Sequence, residues 1–120
     1  SVGFGKFQLE CCGELAQSAC EAARVLGTYL SGEPAAHWMT LNTSLPAEDE
    51  LEEAMEHAEY SLCRRGGFVH GGGYKKRTVY AFASGSCFSK RFTGQVRNVA
   101  PEGRQPALRM LKPMFLGVDV

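Results

Sequence analysis

The sequence predicts an α+β fold in a single domain of residues 1–120, with an antiparallel sheet of three to four strands and two main helices packed on one face. Two stretches in the first half repeat apolar residues at helical spacing, whereas the second half alternates apolar and polar residues with the period of a strand. A chain of 120 residues is also long enough to bury roughly two-thirds of its unfolded surface. We therefore expect one core between a sheet and two helices.

The first predicted helix covers residues 7–30. Apolar residues recur there at intervals of three and four, while Glu10, Glu14 and Glu21 occupy the opposite side. The apolar stripe consists of Cys12, Leu15, Ala19, Ala22, Leu26 and Leu30. The sequence SGEP at 31–34 combines glycine and proline and ends the helix.

A short strand at residues 37–44 precedes the second predicted helix, residues 46–65. Pro46 suits the first helical turn, and the acidic residues at 48–50 favour a helix N-terminus. Gly66 and Gly67 suit its C-terminal end. The residues predicted to face the core are Leu51, Met55, Ala58 and Leu62.

Strands are predicted beyond the second helix. Residues 77–84 and 91–99 alternate with period two and flank a turn at 84–89. Pro106 is expected to open one or two helical turns that reach Leu111, and residues 114–120 are expected to form a last strand.

The net charge of zero conceals a bipolar chain. Residues 1–62 carry eleven acidic and two basic side chains, and residues 63–120 carry eleven basic and two acidic ones. The two halves therefore have charges of −9 and +9. Such asymmetry indicates either a charged partner or two halves that neutralise each other.

The first functional hypothesis follows from this asymmetry: a non-catalytic accessory or assembly subunit that docks between other protein subunits of a complex, where complementary charge sets orientation and association rate. The basic face on the sheet and tail comprises Lys75, Lys76, Arg77, Lys90, Arg91 and Arg97. The acidic helix face comprises Glu52, Glu53, Glu56 and Glu59.

An alternative hypothesis is binding of single-stranded or ribosomal RNA. The basic residues lie on two strands that we expect to be neighbours, and aromatic residues are interleaved with them. Basic side chains neutralise phosphates, and aromatic rings on a sheet can stack on unpaired bases. The candidate stacking residues are Tyr74, Tyr80 and Phe92.

A second alternative is a small cysteine-dependent enzyme with Cys87 as nucleophile and His70 as base. The sequence around Cys87 lacks the glycine spacing of a nucleophile elbow, so we predict no catalytic residue there. The glycines of residues 66–73 precede a strand, whereas phosphate-binding loops precede a helix. His57 lacks the E-x-x-H spacing of a carboxylate-bridged metal site. No cofactor and no metal are therefore predicted.

The cysteines and the hydropathy bear on location. Five cysteines without a C-x-x-C pair are expected to be mostly reduced thiols. Reduced thiols favour an intracellular location, or an organellar one if a transit peptide has been removed before Ser1. No apolar run approaches the roughly 20 residues of a transmembrane helix, so no transmembrane segment is predicted.

Overall fold

The computed structural model describes residues 8, 13, 17, 19–30, 35–69, 71 and 73–119. These form a mixed α/β structure with two α-helices and antiparallel strands. The helices are α1 (Glu21–Leu30) and α2 (Leu51–Met55), the latter preceded by a 3₁₀ turn at Glu48–Glu50. The strands are β1 (His37–Thr40), β2 (Leu62–Arg65), β3 (Val79–Phe82), β4 (Cys87–Phe88), β5 (Gln95–Asn98), β6 (Leu108–Leu111) and β7 (Phe115–Val118).

The described strands form three small sheets. One has the order β4-β1-β7, and the others are the pairs β2-β3 and β5-β6. Every pairing is antiparallel. The expected α+β character with antiparallel pairing is confirmed, but the strands are divided among three sheets instead of forming one.

The second helix is much shorter than predicted. α2 ends at Met55, His57 adopts a left-handed backbone conformation with φ 55°, and residues 62–65 form strand β2. Leu51, Met55 and Leu62 of the predicted inner stripe are exposed, Ala58 is half-buried, and Ala54 is the buried residue of α2. Hydrogen bonds to β3 satisfy the backbone of 62–65, so strand pairing outweighs the helical spacing of the side chains.

Two further elements differ from prediction. Residues 108–111 form β6 where helical turns were expected, because they pair with β5. The segment expected to be only a turn contains β4, which pairs with β1. The first helix begins at Glu21, and the described residues Gln8 and Gly13 are not helical. Most other residues that precede Ala19 lie outside the described part, and these include Cys12 and Leu15 of the predicted stripe. The strands predicted within 37–44, 77–84, 91–99 and 114–120 are confirmed with shorter limits.

Two apolar clusters hold the sheets together. The first joins Phe82, Phe88 and Phe92 to Ala54 of α2, with Phe88 fully buried. Its rings meet edge to face at centroid distances of 5.1–5.2 Å, a favourable geometry for aromatic pairs. The second cluster contains Val79, Ala81, Val99 and Leu111, so it packs β2-β3 against β5-β6.

Glu50 connects the acidic segment to the start of β5. Its carboxylate accepts backbone N–H bonds from Ala47 at 3.0 Å, Thr93 at 2.8 Å and Gly94 at 3.1 Å. Gly94 itself has φ +76°, and an added Cβ would lie 2.6 Å from Pro113 Cδ. Side-chain hydrogen bonds and a glycine-only conformation therefore fix this junction.

Replacement of Glu50 by Gln is expected to lower the free energy of unfolding by about 1.5–3 kcal/mol, because bonds to an ionised acceptor are lost while the N–H groups, two of them in part-buried bonds, remain. Urea denaturation would measure this loss, with Glu52→Gln on the exposed side of α2 as the matched control. An equal effect of both substitutions would contradict the anchoring role.

The same residue predicts a pH dependence. Burial raises the pKa of the Glu50 carboxyl, but the N–H donors of Thr93, Ala47 and Gly94 outweigh burial and lower the pKa below its usual 4.5. The stabilisation by Glu50 is therefore complete above the pKa of the unfolded state and is lost as pH falls through the folded-state pKa. The difference in unfolding free energy between wild type and Glu50→Gln should narrow below pH 4.5, as pH-dependent urea titrations would show. A difference that stays constant in acid would contradict this account.

Candidate nucleic-acid and docking interface

A cleft of about 300 Å³ lies where β2-β3 and β5-β6 meet. The backbone N–H of Arg77 donates to the Val99 carbonyl at 2.6 Å, and its guanidinium donates to the Asn98 carbonyl at 3.1 Å. These bonds connect the residues before β3 to the end of β5. The cleft is lined by Arg77, Thr78, Val79, Arg97, Asn98 and Val99.

A pair of arginines faces the same side as the core residue Leu111. Arg97 lies directly opposite Arg109 across β5-β6, two positions along from the pair formed by Gln95 and Leu111. Both arginines are half-buried, and among the described residues no carboxylate oxygen lies within 4.0 Å of either guanidinium. Like charges directly opposite each other destabilise a strand pair. Arg77 and Arg97 line the cleft, and Arg109 is the cross-strand neighbour of Arg97. We call these three residues the arginine cleft.

Two exposed aromatic rings lie among basic residues. Tyr80 is 62% exposed and lies opposite Arg64 across β2-β3. Phe68 is 70% exposed and pairs through an isolated bridge with Lys75 in the glycine-rich hairpin. Phe68 was not among the predicted stacking residues, although its alternate neighbours, Gly66 and His70, are not apolar, which is a signal against a core role.

The other two candidate stacking residues have structural contacts. Phe92 is only 8% exposed and packs edge to face on Phe88 and Phe115, so its ring is enclosed by the core. The Tyr74 hydroxyl donates to the Gln105 carbonyl at 2.7 Å, which fixes the hairpin to the turn at 101–105. Of the three predicted rings, Tyr80 presents an open face.

The predicted basic face is divided. β3 pairs with β2 and β5 pairs with β6, so β3 and β5 belong to different sheets. Lys90 binds Glu53 at 2.9 Å and Glu56 at 3.6 Å, and Arg91 lies 4.5 Å above the Trp38 ring. Lys75 is exposed and Lys76 is half-buried in the hairpin. Arg77 and Arg97 are the predicted basic residues that line the cleft, and Arg109, which was not predicted, is the cross-strand neighbour of Arg97.

The predicted acidic residues do not form one helix face. Glu52 and Glu53 lie on α2, Glu56 follows its end, and Glu59 bridges to β4. All four are exposed. The hydrogen bond and charge of Glu53 raise the pKa of Lys90, which marks a direct neutralisation between the acidic and basic halves.

A separate cavity of about 300 Å³ is lined by His37, His57, Glu59 and Cys87. The Cys87 Sγ lies 3.8 Å from the Gly85 carbonyl oxygen, and His70 lies outside the described residues. Within the described part of the chain, no three His, Cys, Asp or Glu residues are arranged to hold a metal. Cys63 and Cys87 form no disulfide within the described residues. No helix in the described ranges is long and apolar enough to cross a bilayer.

Comparison with known proteins assigns the fold to a family. Residues 33–118 match the model of the CRISPR Csm4 C-terminal domain. The chain belongs to this family. Its relatives include the CRISPR system Cms protein Csm4 of Mycobacterium tuberculosis, 44% identical over 121 residues in strains H37Rv and CDC 1551, and that of Streptococcus thermophilus, 36% identical over 125 residues.

These relatives are considerably longer than the chain. The alignments cover 97% and 100% of the chain but 36% and 39% of the M. tuberculosis and S. thermophilus proteins. The Csm4 C-terminal domain begins at residue 33, so α1 precedes the matched domain. Because the relatives are bacterial, the expectation of an organellar location has no support.

The arginine pair makes a stability prediction. Arg97→Gln should raise the unfolding free energy by about 0.2–1 kcal/mol, because it removes a like-charge cross-strand contact. Arg109→Gln should raise the unfolding free energy by a similar amount. The double variant should gain less stability than the sum of the two single gains, since either substitution alone removes the repulsion. Urea denaturation at low and high salt would measure these values. Destabilisation by either single substitution would show that the guanidinium groups have favourable partners.

Proposed function

We propose that the chain is the C-terminal part of a non-catalytic subunit of a multi-subunit CRISPR complex, and that its arginine cleft binds the phosphate backbone of single-stranded RNA. Three observations support this proposal: Arg97 lies opposite Arg109 across β5-β6, Arg97 and Arg77 line the same cleft, and no ion pair involves these arginines among the described residues. Arg97 and Arg109 are half-buried cross-strand neighbours of like charge, and a bound anion would offset the repulsion between them.

Phosphate is the anion that best suits three arginines. Guanidinium groups form paired hydrogen bonds with phosphate oxygens and remain charged at any physiological pH. The repeated charge of a nucleic-acid backbone would engage several of them at once, and release of counterions would favour binding.

The exposed rings favour unpaired bases over a duplex. Tyr80 and Phe68 lie on the outer face of β2-β3 and in the adjoining hairpin, beside Arg64 and Lys75. Bases of single-stranded RNA can stack on such rings while neighbouring cations bind phosphates. Stacked bases of a duplex are not available in this way.

The acidic segment supports docking to a basic protein subunit. Glu48, Asp49 and Glu52 are exposed, and no ion pair involves them in the described residues. Glu53 and Glu56 are bound to Lys90, so the three unpaired acids are the better candidates for a partner. Charge complementarity at such a rim would set orientation and association rate.

We also propose that Cys87 has no catalytic role, because the hydrogen bond that its thiol makes is to the Gly85 carbonyl oxygen, at 3.8 Å. We also infer an intracellular location, because RNA and the other subunits of such a complex would be encountered there.

RNA binding should depend on salt and on the arginine cleft. Binding of a fluorescent single-stranded oligonucleotide should weaken linearly on a log-log plot against salt, with a slope of about −0.7 per neutralised phosphate. Arg77→Gln, Arg97→Gln and Arg109→Gln should each make the slope shallower by roughly one such unit. Lys90→Gln is the matched control, since Lys90 is already paired with glutamates. If Lys90→Gln made the slope as shallow as the arginine variants do, this result would contradict binding at the cleft.

The aromatic residues separate binding from stability. Tyr80→Ser should weaken RNA binding by about 1–3 kcal/mol while changing the unfolding free energy by no more than about 0.5 kcal/mol, because the ring is exposed. Phe92→Ala should instead destabilise the protein by about 3–5 kcal/mol, because it opens a cavity in the core. Fluorescence anisotropy and urea denaturation would measure the two effects. Unchanged RNA affinity in Tyr80→Ser would exclude stacking at this face.

A further inference from the structure

Helix α1 presents an apolar stripe that the described structure leaves uncovered. The stripe consists of Ala22, Val25, Leu26 and Tyr29. Their spacing of three, one and three positions places them on one face of the helix. Val25, Leu26 and Tyr29 are 49%, 44% and 54% exposed, and α1 has no buried residue. Together with Glu21, the four residues line a shallow depression on the surface. We call these four residues the α1 stripe.

A neighbouring side of α1 holds the helix against the sheet. α1 contacts β7, and its half-buried residues are Ala23, Gly27 and Leu30. Two of these have little or no side chain, which lets the helix approach closely. Gly117 of β7 also lies close to the connection after α1, because a Cβ added at Gly117 would be 2.9 Å from Ala35 Cβ. Contact with β7 therefore orients the helix and leaves the α1 stripe pointing outward.

The position of α1 along the chain suggests what covers the stripe. The matched C-terminal domain begins at residue 33, after α1, whereas the alignments with the longer relatives cover 97–100% of the chain. In those relatives at least 61% of the length lies outside the alignment. We infer that, in the longer protein such relatives represent, the α1 stripe docks onto an apolar surface of the region that precedes the C-terminal domain, and so couples the two parts of the polypeptide.

The size of the stripe favours a partner within the same polypeptide. A stable complex between separate proteins buries roughly 800 Å² on each side, which is more than four side chains on one ten-residue helix provide. A covalently linked partner has a high effective concentration and needs a smaller contact. The inference is independent of the RNA-binding proposal, because the α1 stripe contains no residue of the arginine cleft.

Hydrogen exchange would test the inference by comparing the 120-residue chain with the full-length protein. In the full-length protein the α1 amides should exchange about tenfold or more slowly than in the 120-residue chain, because docking suppresses local opening. Leu26→Glu should abolish this difference without altering exchange in the core strands. Leu108→Glu, at a residue 71% exposed on β6, is the matched control and should preserve the difference. RNA affinity, measured in parallel, should be unchanged by Leu26→Glu.

Three outcomes would overturn the inference. Equal exchange of α1 in the two proteins would mean that the stripe has no intramolecular partner. Protection in the 120-residue chain that grows with protein concentration would assign the stripe to a second copy. The α1 amides could also be protected in the 120-residue chain at every protein concentration and lose this protection in Leu26→Glu. This result would mean that other residues of the same 120-residue chain cover the stripe.

Discussion

The functional geometry depends on one apolar contact between two strand pairs. In this contact Val79 and Ala81 of β3 pack against Val99, which follows β5, and Leu111 of β6. It packs two two-stranded sheets, neither of which would be stable alone, against one another. Because side chains alternate along a strand, burying Leu111 also turns Arg109 and its partner Arg97 to the same side. The core thus determines where the positive charge is concentrated, and the repulsion between Arg97 and Arg109 lowers the stability of the β5-β6 pair.

The opposite charges of the two halves are used in two ways. Lys90 binds Glu53 and Glu56, so part of the basic half neutralises part of the acidic half within the fold. The Glu50 carboxylate is satisfied by backbone N–H groups and acts as a structural anchor. The charges without an ion-pair partner in the described residues include the acids around the 3₁₀ turn and the arginines of the cleft. The proposed function assigns the first group to a protein partner and the second to RNA.

The sequence predicts strands better than helices in this chain. Four strands were located because their β-branched and aromatic residues alternate over several positions. The helix at 46–65 was overestimated because Leu51, Met55, Ala58 and Leu62 have helical spacing by coincidence, and pairing of residues 62–65 with β3 is a long-range contact that local spacing does not encode. The same limit explains β6, whose helix-like start at Pro106 is overridden by pairing with β5.

The candidate site was predictable in composition but not in arrangement. Basic residues among aromatic residues in the second half indicated an anionic partner, and Arg77, Arg97 and Tyr80 have positions that suit this role. Which aromatic ring is exposed depends on sheet twist and packing, so Phe92 could not be distinguished from Tyr80 by alternation alone. Arg109 was missed because it lay in a segment expected to be helical, where no cross-strand partner would exist.

NMR of the guanidinium Nε–Hε groups would show directly whether the three arginines act as one anion site. On titration with single-stranded RNA, the signals of Arg77, Arg97 and Arg109 should shift together with a common dissociation constant, while that of Arg91 above Trp38 should stay unchanged. Signals that shift with different constants, or that remain unchanged while RNA binds elsewhere, would contradict the account.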